Sequence, residues 1–164
     1  MKTFLIYSLF FMQFLNCTAQ NKEKVHIIYE NIKNHDLSIF INWNVYIREG
    51  LENTYLFDYT DSIEVKERYV VLEMEEVKFK KITSDKDTGF YNLSEDTTLH
   101  QLYSKFKALS VDGIFWKQSN RLFYLKKDNL TLVYQPVAYE QKPKGEQFKN
   151  LVKIDANWYY FKKD

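Results

Sequence analysis

Three side chains spaced four residues apart, Asp96, His100 and Ser104, have the types of the orienting carboxylate, the base and the nucleophile of a hydrolase. A catalytic triad requires these groups to converge on one point. On a helix, residues four apart instead lie one above the next along one face and point the same way. The opposite side of this helix carries an apolar stripe, Leu99, Leu102, Tyr103, Phe106 and Leu109. We therefore expect the stripe to pack on a sheet and the three polar side chains to lie in water.

Histidines offer little for a metal site. The chain has three of them, and His26 precedes Glu30 at a helical spacing that can hold a metal ion. A catalytic zinc commonly takes two histidines and a carboxylate. His35 and His100 stand in no motif that adds them to this pair. We expect no metal and no other cofactor.

A pair of carboxylates, Glu73 and Glu75, would project from the same face of a strand. They would stand about 6.6 Å apart along it, inside the range for the paired carboxylates of glycosidases. Three lysines follow at once, Lys78, Lys80 and Lys81, and such alternating charge is typical of an exposed strand. A small carboxylate-dependent hydrolase is therefore an alternative and not the leading hypothesis.

Aromatic residues are frequent, with 13 Tyr and 13 Phe in a chain that is 18 % aromatic. In the C-terminal third both parities of the expected strands are apolar: Leu122 and Tyr124 alternate with Phe123 and Leu125. A half-buried antiparallel strand should alternate apolar and polar residues, so both faces of this sheet need cover. Helices can cover one face, and the N-terminal strand with its neighbours must cover the other.

Where that cover is incomplete, an aromatic groove remains that suits a glycan, a peptide or an apolar ligand. Trp and Tyr are favoured as binding anchors because each offers a large rigid face with a polar edge. The candidate binding residues are Trp116, Tyr124, Trp158 and Tyr160. At least two of the four should expose ring area on one connected surface. If none does, the aromatic residues only fill the core.

The only cysteine, Cys17, stands where an apolar N-terminal run gives way to polar sequence. Residues 1–19 have the order of an export signal peptide, with Lys2 ahead of the apolar run. The run is about 12 residues long, whereas a spanning helix needs about 20. The letters Phe14-Leu15-Asn16-Cys17 resemble a bacterial lipobox, which implies cleavage before Cys17 and a lipid attached to it. The alternative is cleavage by signal peptidase I, which releases the chain from Gln20.

Composition narrows the class of protein. With one cysteine, at the end of the export signal, the mature chain has no disulfide framework and no thiolate zinc site. A net charge of +1 gives no electrostatic reason to bind nucleic acid or an anionic membrane. The chain has no linker of Pro, Gly and Ser, so residues 20–164 are expected to form one globular domain. Contact with a membrane would come only through a lipid at Cys17.

Periodicity places the elements. Apolar residues one turn apart predict a helix over Asn21–Asn34, and a period of two predicts a strand over Leu37–Arg48. Residues 64–83 fit a strand pair or a bulged strand, and a helix is the weaker alternative because of their β-branched content. Ser94 is expected to cap a second helix. Five short strands then form a meander: Ile114–Lys117, Arg121–Lys126, Leu130–Gln135, Leu151–Ile154 and Trp158–Lys162.

These patterns predict an α+β protein, with two helices packed on a predominantly antiparallel sheet of six to eight strands and a C-terminal β-meander. The expected function is that of an exported, non-catalytic binding or interaction domain, placed in the periplasm or cell envelope by its lipid or secreted. Its partner would be a protein, a peptide or a glycan. The alternatives are the carboxylate hydrolase and an inhibitor or immunity-type protein, which would use the loop Pro136–Gly145.

Overall fold

The computed structural model describes residues 22–61, 64–83, 89–136, 143, 145 and 148–161. The chain divides into two compact units, Met1–Asn34 and His35–Asp164. The expected export signal, including Cys17, lies outside the described residues. In the described part of the chain, no helix has the length and apolar character needed to cross a membrane.

The first unit contains helix α1, residues 22–32, which confirms the helix predicted there. Its buried side chains are Val25, Tyr29 and Ile32, one turn apart. Lys33 pairs with Glu30 at 2.7 Å, and the His26 ring lies 6.4 Å from that of Tyr29. Glu30 is thus paired with a lysine of its own helix.

The second unit is a ten-stranded sheet in which every pairing is antiparallel. Its strands are β1 Trp43–Ile47, β2 Thr54–Asp61, β3 Glu64–Glu73, β4 Val77–Ile82, β5 Tyr91–Asn92, β6 Gly113–Lys117, β7 Leu122–Lys127, β8 Leu130–Tyr134, β9 Leu151–Lys153 and β10 Trp158–Phe161. They lie in the order β5-β4-β3-β2-β1-β6-β7-β8-β10-β9. The α+β class and the C-terminal meander are confirmed, with more strands than the six to eight expected.

The first strand is shorter than its alternating sequence predicts. Ser38–Phe40 forms a 3₁₀ turn, and β1 begins only at Trp43. Between them Asn42 has a φ of 67°, in the left-handed region that Asn tolerates better than most residues. A left-handed residue cannot continue an extended strand, so Ile39 and Ile41 are not on the face that Val45 buries. The prediction of a continuous strand over Leu37–Arg48 is wrong in its first half.

Strand β2 is an element that the sequence analysis missed. It pairs with β1 on one side and with β3 on the other, with a register shift between Tyr59 and Thr60. Residues 64–83 form the β3–β4 pair, which confirms the strand-pair interpretation. The turn at residues 74–76 explains why the apolar positions change parity there.

Helix α2 spans Thr97–Leu109 and carries the predicted stripe: Leu99, Leu102, Phe106 and Leu109 are buried. The cap is Asp96, whose side chain accepts the Leu99 N–H at 2.9 Å. Ser94 lies within a 3₁₀ turn, Leu93–Glu95, and caps nothing. Buried Leu93 holds that turn against β4, which delays the start of the helix. The prediction of Ser94 as the cap is therefore wrong.

We call the sheet face that carries Tyr55 and contacts α2 the helix face. Tyr55 meets the rings of Tyr103 and Phe106 edge-on at 5.5 and 6.1 Å. The register places four fully buried side chains on this face, Val45, Phe57, Val71 and Ile114. These four side chains form the buried centre of the helix face.

The opposite face has its own cover at the C-terminal end. Phe148, just before β9, packs with Leu122, Val133, Leu151 and Tyr159 in a second buried cluster. The expectation that both faces of the meander need cover is thus confirmed. The expected source of the cover is wrong, because the N-terminal strand β1 lies within the sheet and not over it.

Candidate functional site

A continuous row of aromatic rings crosses the N-terminal half of the helix face. We call it the N-terminal ring row: Trp43, Tyr59, Tyr69, Phe79 and Tyr91, one from each of β1 to β5. Trp43 lies 5.2 Å from Tyr59 and 6.1 Å from Tyr69, measured between ring centroids. Phe79 lies 6.3 Å from Tyr69 and 5.8 Å from Tyr91. The register of the strands therefore builds one apolar strip from five separate segments.

The strip is accessible along its length. Four of its rings are half-buried, and Tyr91 at the sheet edge is 46 % exposed. By contrast, Phe57 and Val71, on the same face nearer α2, have no exposed area. The row thus lies at the margin of the core, where rings can offer part of their surface to a ligand.

A polar group borders the row. Glu67 accepts hydrogen bonds from Lys81 Nζ and from the Tyr69 hydroxyl, both at 2.6 Å. The hydrogen bonds from Lys81 and from Tyr69 lower the pKa of Glu67, and the one from Lys81 has the larger effect. Burial and the bond to Glu67 raise the pKa of Tyr69. At neutral pH the carboxylate is ionised, the phenol is protonated, and Lys81 balances the charge.

A second polar cluster joins α2 to the sheet. Glu73 accepts the Tyr55 hydroxyl at 2.6 Å and Lys107 Nζ at 3.0 Å, and Lys107 also donates to the Tyr55 oxygen at 3.0 Å. The bonds from Tyr55 and Lys107 lower the pKa of Glu73. Burial and the nearby Glu73 carboxylate raise the pKa of Tyr103 to about 12.

The Glu73 cluster argues against catalysis by the proposed carboxylate pair, Glu73 and Glu75. A carboxylate that is held ionised is poorly suited to donate a proton as a general acid. Strand β3 ends at Glu73, and Glu75 lies exposed in the following turn. The expectation that the two glutamates share one strand face is therefore wrong.

The other chemical constellations are dispersed. His100 and Ser104 are exposed, as expected, whereas Asp96 is half-buried and serves as the helix cap. Among the described residues, no three His, Cys, Asp or Glu side chains come together as a metal ion would require. Most of the loop Pro136–Gly145, named for an inhibitor, lies outside the described residues.

Two of the four binding candidates, Trp116 and Trp158, are buried, with 8 % and 3 % of their surface exposed. Both belong to a second row on the helix face, the C-terminal ring row: Trp116, Phe123, Tyr134 and Trp158. Its successive centroids are 4.6, 6.1 and 4.7 Å apart. The indoles are thus brought into one row, but they are covered.

The other two candidates lie on opposite faces. Tyr160 is half-buried and, two residues after Trp158, shares the helix face. Tyr124 points to the opposite face, where it stacks on Phe161 at 6.4 Å and its hydroxyl accepts from Asn120 Nδ2 at 3.3 Å. Burial raises the pKa of Tyr124. The expectation that two of the four expose rings on one connected surface is wrong, and their role in binding stays a prediction.

The sequence did not predict the N-terminal ring row, because its rings come from five separate segments. One of these segments, β2, was not predicted to be a strand. A usable signal was present in β2, where Tyr55, Phe57 and Tyr59 alternate with smaller or polar side chains. That pattern predicts an aromatic strand face. Which aromatic residues lie next to each other on neighbouring strands could not be predicted without the strand register.

The opposite face carries a cleft of about 870 Å³ at the end of β1. Its floor is Tyr46 stacked on Phe115 at 5.7 Å, with Lys126 Nζ 4.9 Å from the Phe115 centroid. A Cβ on Gly113 would stand 2.7 Å from the Phe115 ring, so only glycine lets the ring lie there. The lining carries two basic side chains, Arg48 and Lys126, and four acidic ones, Glu49, Glu52, Asp112 and Asp128, so acidic groups outnumber basic ones there.

Comparison of the chain with protein-family models, with curated proteins and with solved structures finds no match. Of the surfaces described, the N-terminal ring row combines accessibility, continuity and a neutralised polar border.

Proposed function

We propose that this protein is a non-catalytic binding domain whose recognition surface is the N-terminal ring row and whose ligand is a neutral glycan. The observation that carries the proposal is the unbroken spacing of the five rings, 5.2 to 6.3 Å from one to the next. Export and lipid attachment at Cys17 belong to the same proposal and rest on the sequence alone.

The chemistry of the border favours a neutral ligand. Glu67 is balanced by Lys81, and Glu73 by Lys107. A strongly charged peptide would therefore find no uncompensated partner at these two clusters. A sugar ring has an apolar face of C–H groups, which suits stacking on an aromatic ring, and hydroxyls at its edge, which suit polar side chains nearby. Binding sites of this kind are mostly apolar with a few placed polar groups.

The test is titration calorimetry with neutral hexasaccharides of glucose and of N-acetylglucosamine in α and β linkages. At least one should bind. Trp43→Ala should weaken that binding about thirtyfold, since truncating an aromatic anchor costs about 2 kcal/mol. Trp43→Phe should retain most of it, because a flat ring remains. Thermal unfolding of each variant establishes that it is folded.

Tyr160→Ala is the matched comparison, since Tyr160 is half-buried on the same face but outside the ring row. It should bind like the parent protein. If Tyr160→Ala loses binding and Trp43→Ala keeps it, the meander is the recognition surface, as the sequence suggested. If no hexasaccharide binds, but an uncharged peptide from a display library does so in a Trp43-dependent manner, the ligand is a peptide and the glycan proposal fails.

A further inference from the structure

The cleft of about 870 Å³ on the opposite face is lined by residues of two turns at one end of the sheet. One is the loop at residues 48–52, which follows β1, and the other is the turn between β7 and β8. The volume lies within the range of about 300–1,000 Å³ that small-ligand sites occupy. Because the N-terminal ring row is on the other face, an inference about this cleft does not depend on the glycan proposal.

Apolar side chains in the cleft remain in contact with solvent. Ile47 is 39 % exposed and Leu51 is 47 % exposed, and both belong to the lining. The stacked rings of Tyr46 and Phe115 form the floor between them and Lys126. A ligand with an apolar body would cover this surface, and removing apolar surface from water favours binding.

Negative charge exceeds positive charge in the lining. Its four acidic and two basic side chains leave a formal charge of −2. Lys127, outside the lining, offsets one of the acids, since its Nζ lies 3.0 Å from an Asp112 oxygen. Three exposed carboxylates have no ion pair or side-chain hydrogen bond within the described part of the chain: Glu49, Glu52 and Asp128. The charge of the cleft therefore complements a cation.

The chain itself places one ammonium group in this cleft. Lys126 Nζ lies 4.9 Å from the centroid of Phe115, within the distance of about 6 Å at which a ring attracts a cation. Because Lys126 takes this position, we expect the charged group of a ligand at the three unpaired carboxylates and not over Phe115.

We propose that the cleft binds a small organic monocation in which one ammonium group is attached to an apolar body. The body packs on the aromatic floor and on Ile47 and Leu51, and the ammonium group lies among the three unpaired carboxylates. A carboxylate ligand of the same shape is repelled by these groups, and a neutral ligand gains only the apolar contact. Since the carboxylates are exposed, salt screens their attraction, and the affinity falls as ionic strength rises.

The experiment titrates ¹⁵N-labelled protein with three probes that share one phenylethyl group: 2-phenylethylamine, 2-phenylethanol and 3-phenylpropanoate. The backbone amide signal of Gly50, a residue of the lining, reports on the cleft. It should shift and saturate with the amine, which should bind about threefold or more tightly than the alcohol. The carboxylate should give no saturable shift. Raising NaCl from about 20 mM to about 500 mM should weaken the binding of the amine and leave that of the alcohol unchanged.

A variant without the three carboxylates tests where the ammonium group lies. It is Glu49→Gln/Glu52→Gln/Asp128→Asn, which keeps the side-chain shapes. Asn also tolerates the left-handed backbone of residue 128, whose φ is 50°. This variant should bind the amine about threefold or more weakly than the parent protein. It should bind the alcohol like the parent.

A matched control removes three exposed carboxylates outside the lining and changes the net charge equally: Glu75→Gln/Glu76→Gln/Glu95→Gln. It should bind the amine like the parent protein. Thermal unfolding establishes that both variants are folded. The proposal is overturned if the amine gives no saturable shift, if the alcohol or the carboxylate binds as tightly as the amine, or if the cleft variant binds the amine like its control.

Discussion

Asp58 and Arg68 stand directly opposite each other on β2 and β3 and form a bidentate ion pair. Arg68 Nε and a terminal nitrogen donate to the two carboxylate oxygens at 2.6 and 2.7 Å. The Asp58 side chain is only 5 % exposed, and the Tyr46 hydroxyl donates to it at 3.2 Å. A two-pronged pair of this kind fixes geometry as well as charge. It therefore pins the register of the two strands that carry the centre of the ring row.

Substitution of Arg68 tests how much the ion pair with Asp58 contributes to the free energy of unfolding. Arg68→Met keeps the aliphatic stem but leaves a buried carboxylate without its cation, which should lower the free energy of unfolding by about 3 kcal/mol. Lys66→Met breaks the exposed pair with Glu64 on the same strand and should cost less than about 0.5 kcal/mol. Urea unfolding of both variants makes the comparison. Equal losses in the two variants would contradict the structural role of Asp58 and Arg68.

The free energy of unfolding should depend on pH through the ionisation of Glu73. Its folded pKa lies below the ordinary value of 4.5 because Tyr55 and Lys107 donate hydrogen bonds to the ionised form. A depressed pKa favours folding above pH 4.5, and this contribution is lost as the pH falls through the folded value. Glu73→Gln should therefore lose less stability than the parent between about pH 5 and pH 3. Glu75→Gln, in the exposed turn, is the control and should follow the parent curve.

Helix α2 offers a paired test of its two sides. Leu102 has no exposed area, so Leu102→Ala should cost about 2–5 kcal/mol through lost burial and a cavity. His100 is exposed on the same helix, and His100→Ala should change stability by less than about 0.5 kcal/mol. Thermal and urea unfolding measure both. If His100→Ala unfolded the domain or removed ligand binding, the assignment of His100 to a solvated face would be wrong.

Cys17 is expected to carry a lipid at the N-terminus of the mature protein. Intact-mass analysis of protein extracted from bacterial membranes should find the acyl groups on a chain that begins at Cys17. Cys17→Ala should move the protein to the soluble fraction without lowering its thermal stability, since no second cysteine exists to form an internal disulfide. A soluble parent protein that begins at Gln20 would contradict lipid attachment.

Local patterns predicted those elements whose signals are local. The meander strands were placed within a residue or two, because the alternating apolar residues and the polar turns between them are neighbours in the chain. The buried stripe of α2 followed from its helical spacing for the same reason. The start of that helix did not, since the choice between Ser94 and Asp96 as the cap depends on the burial of Leu93 against β4.

The sequence by itself determined the fold class, the C-terminal meander, and the abundance of rings that must be either covered or offered to a partner. Only the tertiary structure decided which rings are buried and which remain partly exposed. Trp116 and Trp158 are enclosed, whereas Trp43 and Tyr69 lie at the margin of the core. The physical reason is that exposure depends on which elements lie over a side chain. That cover comes from residues far apart in the sequence. It also depends on the strand register, such as the pairing that places Asp58 opposite Arg68.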